Sequence, residues 1–303
     1  MGYNCVVLVK QVPDTKRITG KVMNDDGTVN RAALAAIFNP EDLNALEMAL
    51  QIKGLYGGTV TAITMGLPSA AEVLREALYR GSDRAILITD PRAAASDTLA
   101  TSYILSCAVR NVPYDIVLCG RQAIDGDTAQ VGPQVAQKLG ITQITYVEAL
   151  EGLQGRSITV RRNIGNGWQL VRTNLPVLMT VIDSANQPRI PAAKRLMRYK
   201  KARARCEIEA QLRLERPQLE QGELAELVEQ AAKELSSRGL LIEQWDIDMI
   251  GADPALCGRS GSPTKVHRIQ SVILSAKDSK TVEPTDAGIS QMISELISDR
   301  IIA

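Results

Sequence analysis

The sequence predicts an α/β fold: a parallel doubly wound sheet with an antiparallel extension and a helical C-terminal arm. Three features predict it. Between Cys5 and Gly140, short β-branched apolar runs alternate with helical patterns; strands spaced by helices build a parallel sheet with helices on both faces. After Gly140, strand-like runs flank a glycine-rich turn, the pattern of an antiparallel hairpin. From Pro188 onward the chain turns basic and then amphipathic-helical. The expected division is therefore 1–188 for the α/β domain and 189–303 for a basic segment and extended arm.

The parallel strands are expected at Cys5–Val9, Thr59–Thr64, Ala85–Thr89 and Ile116–Cys119. Asn39-Pro40-Glu41-Asp42 reads as a helix start: a cap residue, proline at the first helical position, then acids in the first turn. Leu43, Leu46 and Leu50 follow at helical spacing. Ser69-x-x-Glu72 reads as a capping box before Val73, Leu74, Ala77 and Leu78, and Asp127–Gln130 as a similar start before Val131, Val135 and Leu139. Gly81 and Gly140 fit helix stops. Ser157–Arg162 and Gln169–Thr173 flank Asn163-Ile164-Gly165-Asn166-Gly167 as a hairpin, and Pro176–Ile182 is a further buried strand. Residues 189 to 205 hold eight basic residues and no acid. Gly222 to Gly239 is an amphipathic helix, expected to pack within the chain, and a last helix near Pro284–Arg300 lines up Ile289, Met292, Ile293, Leu296 and Ile297 on one stripe. Such helices need a surface to cover them, and a partner subunit would supply it.

Composition removes several function classes. The net charge is +1, so no global field draws in nucleic acid, and the basic run carries only Tyr199 as an interleaved aromatic. Five cysteines lie far apart with no C-x-x-C, which argues against disulfides and zinc, and a single histidine, His267, leaves a His-based metal site or triad without partners. No apolar run approaches the ~20 residues that span a bilayer. The N-terminal stretch lacks signal-peptide character, so a cytoplasmic protein is expected.

The most informative segment runs from Leu118 through Gly126 to Pro133. It leaves a parallel strand and enters a helix, where open α/β sheets bind ligands. Gly126 removes a side chain, and Thr128, Ala129 and Gln130 would offer N–H groups to an anion. The bland alternative is a strand-turn-helix link with a capping aspartate. Two more loops, Leu8–Asp14 and Thr64–Pro68, should meet this one to form a nucleotide-sized crevice. G-x-G-x-x-G and the P-loop lysine motif are both missing, so neither a Rossmann nor a Walker site is indicated.

These segments resemble the beta subunit of electron-transfer flavoproteins. The resemblance rests on Val9-Lys10-Gln11-Val12-Pro13-Asp14, Asn39-Pro40-Glu41-Asp42, Leu74–Leu78 with Gly81–Ala85, Gly120–Gly132, and later Pro188-Arg189-Ile190, Leu196-Met197 and Lys200-Lys201. It implies an adenine-nucleotide alpha-hydrolase-like sheet, a heterodimer with an alpha subunit, and a nucleotide in the crevice. Leu8, Asn39, Met65, Ala123, Asp125, Gly126, Asp127, Thr128, Gln130 and Val131 are its implied nucleotide contacts. No catalytic side chain and no metal is implied.

Two features resemble the electron-bifurcating branch, whose beta subunit carries FAD rather than AMP. Gly126 stands where AMP-binding members tend to have a bulkier acid, and Trp245–Asp248 with Gly258–Val266 look like that branch's tail. The branch implies hydride from NADH, one electron to ferredoxin or flavodoxin, and the other through the alpha-subunit FAD to a dehydrogenase, often one acting on acyl-CoA. Lys10, Arg121 and Lys265 are candidate charges near the phosphates or flavin, each weighed against an ordinary surface ion. The chain departs from the family in a longer 205–243 region and in Ala193, where members present a docking-loop leucine. The alternatives are a conventional AMP-binding relay and a nucleotide-sensing scaffold without redox work.

Overall fold

The computed structural model describes residues 2–14, 35–264 and 281–298. Lys265 and His267 lie outside the described residues, as do Val266 and the last residues of the expected C-terminal helix. The strands are β1 (Cys5–Leu8), β2 (Gln11–Pro13), β3 (Ala36–Phe38), β4 (Val60–Met65), β5 (Arg84–Ile88), β6 (Ile116–Gly120), β7 (Thr142–Gln154), β8 (Ser157–Asn163), β9 (Trp168–Asn174), β10 (Val177–Val181) and β11 (Glu243–Trp245). The helices are α1 (Pro40–Tyr56), α2 (Ala71–Arg80), α3 (Thr98–Arg110), α4 (Val131–Leu139), α5 (Ala193–Tyr199), α6 (Arg205–Glu215), α7 (Gln221–Ser237) and α8 (Asp286–Ser298).

A nine-stranded sheet has the order β11-β5-β4-β1-β6-β10-β7-β8-β9. From β11 to β7 every neighbouring pair is parallel; β8 and β9 add the antiparallel extension. The expected mixed sheet is thus present. Strands of a parallel sheet bury both faces, so they read as continuous apolar runs. In β1, Val7 packs into one core cluster while Val6 and Leu8 pack into the other. The first cluster is covered by α1 and α2, through residues such as Leu46, Ile52 and Leu74. The second is covered by α3 and α4, through Ile104, Leu105 and Val135. Each fully buried aliphatic side chain of this kind stabilises the fold by about 1.5–3 kcal/mol.

From β1 the chain winds one way to β4 and the other way to β6. The gap between β1 and β6 is therefore the topological switch point, where the loops at the carboxyl ends part and leave a crevice.

Several local expectations are corrected. Asn39 precedes α1, with Pro40 opening it, but its side chain makes no capping bond. Ser69 and Glu72 form no capping box: α2 begins at Ala71 after a short turn of 3-10 helix, and the Ser69 hydroxyl bonds Gln11 Oε1 at 3.2 Å. The Asp127–Gln130 start is displaced too, because α4 begins at Val131 and no side chain caps it. Gly81 and Gly140 do end α2 and α4, and the hairpin and the buried strand after Pro176 form as expected.

Part of the stretch expected as an arm lies in the sheet. β11 pairs in parallel with β5, and Ala202, Ala204, Ile208, Leu240, Ile242 and Ile247 are buried. Helices α6 and α7 pack on each other, with Leu224 and Ala232 buried. Helix α8 buries none of its residues. No described helix is long and apolar enough to cross a membrane.

Candidate functional site

The crevice at the switch point is a cavity of about 270 Å³. Its walls come from the ends of β1, β4 and β6, from the loop into α4, and from the first turns of α3. Eight of the expected contacts line it: Leu8, Met65, Ala123, Gly126, Asp127, Thr128, Gln130 and Val131. Asn39 and Asp125 are not among the lining residues. The structure thus brings the three loops together, with Leu8 to Lys10 from the first and Met65 from the second.

The start of α1 holds this arrangement in place. Asp42 accepts from Gly120 N–H through Oδ1 (2.8 Å) and from Lys10 N–H through Oδ2 (2.9 Å), joining the ends of β6 and β1. Glu41 accepts from Gln122 N–H at 2.9 Å and pairs with Arg121 at 2.8 Å. Asn39 donates to the Gln122 carbonyl (2.9 Å) and accepts from Ile124 N–H (3.1 Å). These polar side chains explain why α1 lacks a clean polar face: it is buried on nearly all sides and spends its first turn on the crevice loop. Further along α1, Asn44 donates to the Asn186 carbonyl at 2.7 Å, and Glu47 makes a two-pronged pair with Arg189 at 2.7 and 2.9 Å. One helix therefore fixes both the crevice loop and the segment before α5.

The loop itself has an uncommon backbone. Asp127 and Ala129 have φ of 48° and 53°, with Thr128 between them on the ordinary side. Alternation of this kind is how backbone forms anion-binding nests. The N–H groups of Thr128, Ala129 and Gln130 make no hydrogen bond among the described residues. At Gly126 an added Cβ would meet nothing within 4 Å. At Gly120 it would lie 2.7 Å from Asp42 Oδ1, so glycine is what lets the carboxylate reach the strand end.

Charge in the crevice is largely paired. Lys10 Nζ contacts both oxygens of Asp125 at 2.7 and 2.9 Å. Arg121 leans on Glu41 and lies 5.8 Å above the Tyr146 ring. Burial pushes the Asp42 carboxyl up to about 7 against the pull of its hydrogen bonds, and Glu41 is also raised, chiefly by desolvation. Burial raises the Cys119 thiol as well, so it lines the crevice as a neutral group. This arrangement offers backbone donors and apolar walls to a phosphate-bearing ligand; among the described residues it offers no activated nucleophile.

The sequence reading missed the far wall. Ser96, Thr101 and Leu105 line the crevice from α3 and the turn before it. Asp97 caps α3 by accepting from Ala100 N–H at 2.9 Å, and Thr98 Oγ1 donates to Gln130 Oε1 at 2.8 Å, tying the two walls together. The signal was available in Ser96-Asp97-Thr98, a helix-start pattern after the third parallel strand.

Residues 26–210 match the electron transfer flavoprotein domain, more than half of the 303-residue chain. The chain is 36% identical over 299 residues to the electron transfer flavoprotein subunit beta of Clostridium acetobutylicum, covering 99% of this chain and 100% of that one. It is 47% identical over 204 residues to protein FixA of Azorhizobium caulinodans, covering 65% of this chain and 72% of that one. It is 48% identical over 188 residues to the acryloyl-CoA reductase electron transfer subunit gamma of Anaerotignum propionicum, covering 60% of this chain and 69% of that one. With the family's domain covering β3 through β10 and the crevice loop into α4, and an end-to-end match to a beta subunit, the chain belongs to the electron transfer flavoprotein beta-subunit family.

Proposed function

We propose that this chain is the beta subunit of an electron-bifurcating heterodimer and binds FAD in the switch-point crevice. The observation that carries the reading is the open space at Gly126: a side chain there would project into volume that nothing else fills. The nest at Asp127–Ala129 and the free N–H groups of Thr128 to Gln130 suit a phosphate. When bound, a flavin supplies hydride acceptance and single-electron release, and the protein supplies position and electrostatics. In this reading NADH is the donor, ferredoxin or flavodoxin the low-potential acceptor, and an alpha subunit with its own FAD passes the second electron to a dehydrogenase. The relative named for acryloyl-CoA reductase favours an acyl-CoA-type partner. Docking falls to the segment before and within α5, where Ile190 and Met197 are exposed; Ala193, where the resemblance implies a leucine, alters the usual dehydrogenase contact in this reading and leaves the redox partner open.

One observation favours the conventional reading with AMP. A cavity of about 270 Å³ is at the small end of ligand pockets and suits a mononucleotide; the flavin half of FAD would extend past it toward the partner subunit. Denaturing extraction of the copurified heterodimer, with chromatography resolving FAD from AMP, separates the two. Two FAD and no AMP per heterodimer is the expected result. One FAD with one AMP would establish the conventional relay instead.

A further inference from the structure

We propose that the stretch Gly258–Thr264 is a clasp that holds the far wall of the crevice in its ligand-retaining position. The proposal rests on the reading of the crevice as a nucleotide site. Its basis is a set of hydrogen bonds that cross about 160 residues of sequence, each reaching the turn that opens α3. Gly258 N–H donates to Ser96 Oγ at 3.0 Å, and Asp97 N–H donates to Ser262 Oγ at 2.8 Å. Thr264 N–H donates to Asp97 Oδ2 at 2.9 Å. Ser262 closes the clasp on itself by donating to the Gly258 carbonyl at 2.7 Å, and it is 4% exposed.

The sequence Gly-Arg-Ser-Gly-Ser is what this geometry needs. Gly258 has φ of 61°, and a Cβ there would fall 2.1 Å from the Arg92 carbonyl oxygen. At Gly261 a Cβ would fall 2.1 Å from the Leu256 carbonyl carbon. Neither position has room for any other residue: Gly258 brings the clasp against the backbone of Arg92 and Ala94, and Gly261 lets it fold back on Leu256 and Cys257. Cys257, fully buried in the α3-side core, anchors its start.

What the clasp touches matters for the crevice. Ser96 lines it, Asp97 caps the helix whose Thr101 and Leu105 line it, and Thr98 reaches across to Gln130 in the opposite loop. The wall is thus held from behind by the clasp and from the front by Gln130. Without the clasp, the α3 turn loses the acceptor for Asp97 N–H and the donor to Ser96 Oγ, and what still holds it to the opposite wall is the exposed Thr98–Gln130 hydrogen bond and the apolar packing of α3 on α4. Ser262 is a positioning residue in this scheme and touches no ligand.

The test uses the full chain copurified with its alpha subunit, stripped of nucleotide and titrated calorimetrically with AMP and with FAD. Ser262→Ala is expected to weaken the tighter-binding probe about tenfold, the worth of one buried hydrogen bond. In the nucleotide-free complex it should speed amide hydrogen exchange at residues 97–101 while leaving exchange in β1 and β6 unchanged. Thr264→Pro, which removes the N–H given to Asp97 at the exposed end while fixing φ there, should shift both readouts the same way, and Thr264→Ala, which keeps the N–H, should shift neither; the pair covers the case in which Ser262→Ala fails to fold. Unchanged affinity in the variants beside a wild type that binds overturns the clasp and leaves the nucleotide reading intact. Unchanged exchange at 97–101 overturns it equally. A wild-type complex that binds neither probe overturns both.

Discussion

Asp42 is a buried carboxylate whose two oxygens each hold a backbone N–H from a different strand end. Asparagine at this site offers one acceptor oxygen and one misplaced NH2, so Asp42→Asn should cost about 1–3 kcal/mol by leaving a buried donor unmet. The pH dependence carries a second signature. The folded-state pKa is raised to about 7, so the protonated form is the one the fold favours. That contribution is fully present below the unfolded value near 3.8 and is lost as pH rises through about 7. Urea unfolding across this window should therefore show wild type losing stability relative to Asp42→Asn as pH rises, with a level difference above it. Asn39→Ala should weaken nucleotide binding without touching a lining atom, because Asn39 braces the Gln122 carbonyl and Ile124 N–H from behind; titration with AMP checks it. At this scale the sequence named most of the lining, and the fold adds the backbone groups that Asn39 holds and the Lys10 ammonium that Asp125 pairs with. Asn-Pro-Glu-Asp reads locally as cap and first turn, and only the fold reveals that these side chains are turned toward a loop 80 residues away.

Among the elements, the parallel strands and the hairpin were legible because their apolar runs and turn glycines act within a few residues. The helix starts at 69 and 127 were not. A Ser or Asp before an apolar run offers a capping bond, yet Ser69 finds Gln11 and Asp127 is held at positive φ within the crevice loop. Strand β11 was invisible for a different reason: Glu243-Gln244-Trp245 is too short and too polar to announce itself, and it is a strand only because β5 has a free edge beside it. Ile242, directly before it, is fully buried. Ile242→Ala should cost about 2–4 kcal/mol, in the range of other core truncations. Urea midpoints of the isolated chain would show it; a change under about 0.5 kcal/mol, the scale of surface substitutions, would mean that the segment is a loosely held arm.

At the scale of the whole molecule, the sheet and its two cores account for most of the described residues up to 264, while α8 keeps its apolar stripe uncovered. Ile293 is 42% exposed and Ile297 53% exposed. Aspartate at Ile293 should leave the thermal midpoint of the isolated chain unchanged, since no α8 residue contributes to a core. The same change should abolish or sharply weaken association with the alpha subunit, which gel filtration of the mixed subunits would report. The family was legible from motifs spread between Val9 and Lys201. The choice between the two proposed nucleotides is not legible there, because AMP and the AMP half of FAD would ask the same backbone groups for the same bonds.

Helix α1 is also a ruler. Its first turn is pinned to the crevice loop by Asn39, Glu41 and Asp42, and its second to the segment before α5 by Asn44 and Glu47. An α-helix turns about 100° for each residue added. One alanine inserted after Leu43 would swing Asn44 and Glu47 out of register while leaving every side chain chemically intact. The stretch from Asn39 to Glu47 should thus tolerate no change of length, because its fixed count of residues sets the distance between the crevice loop and the segment before α5.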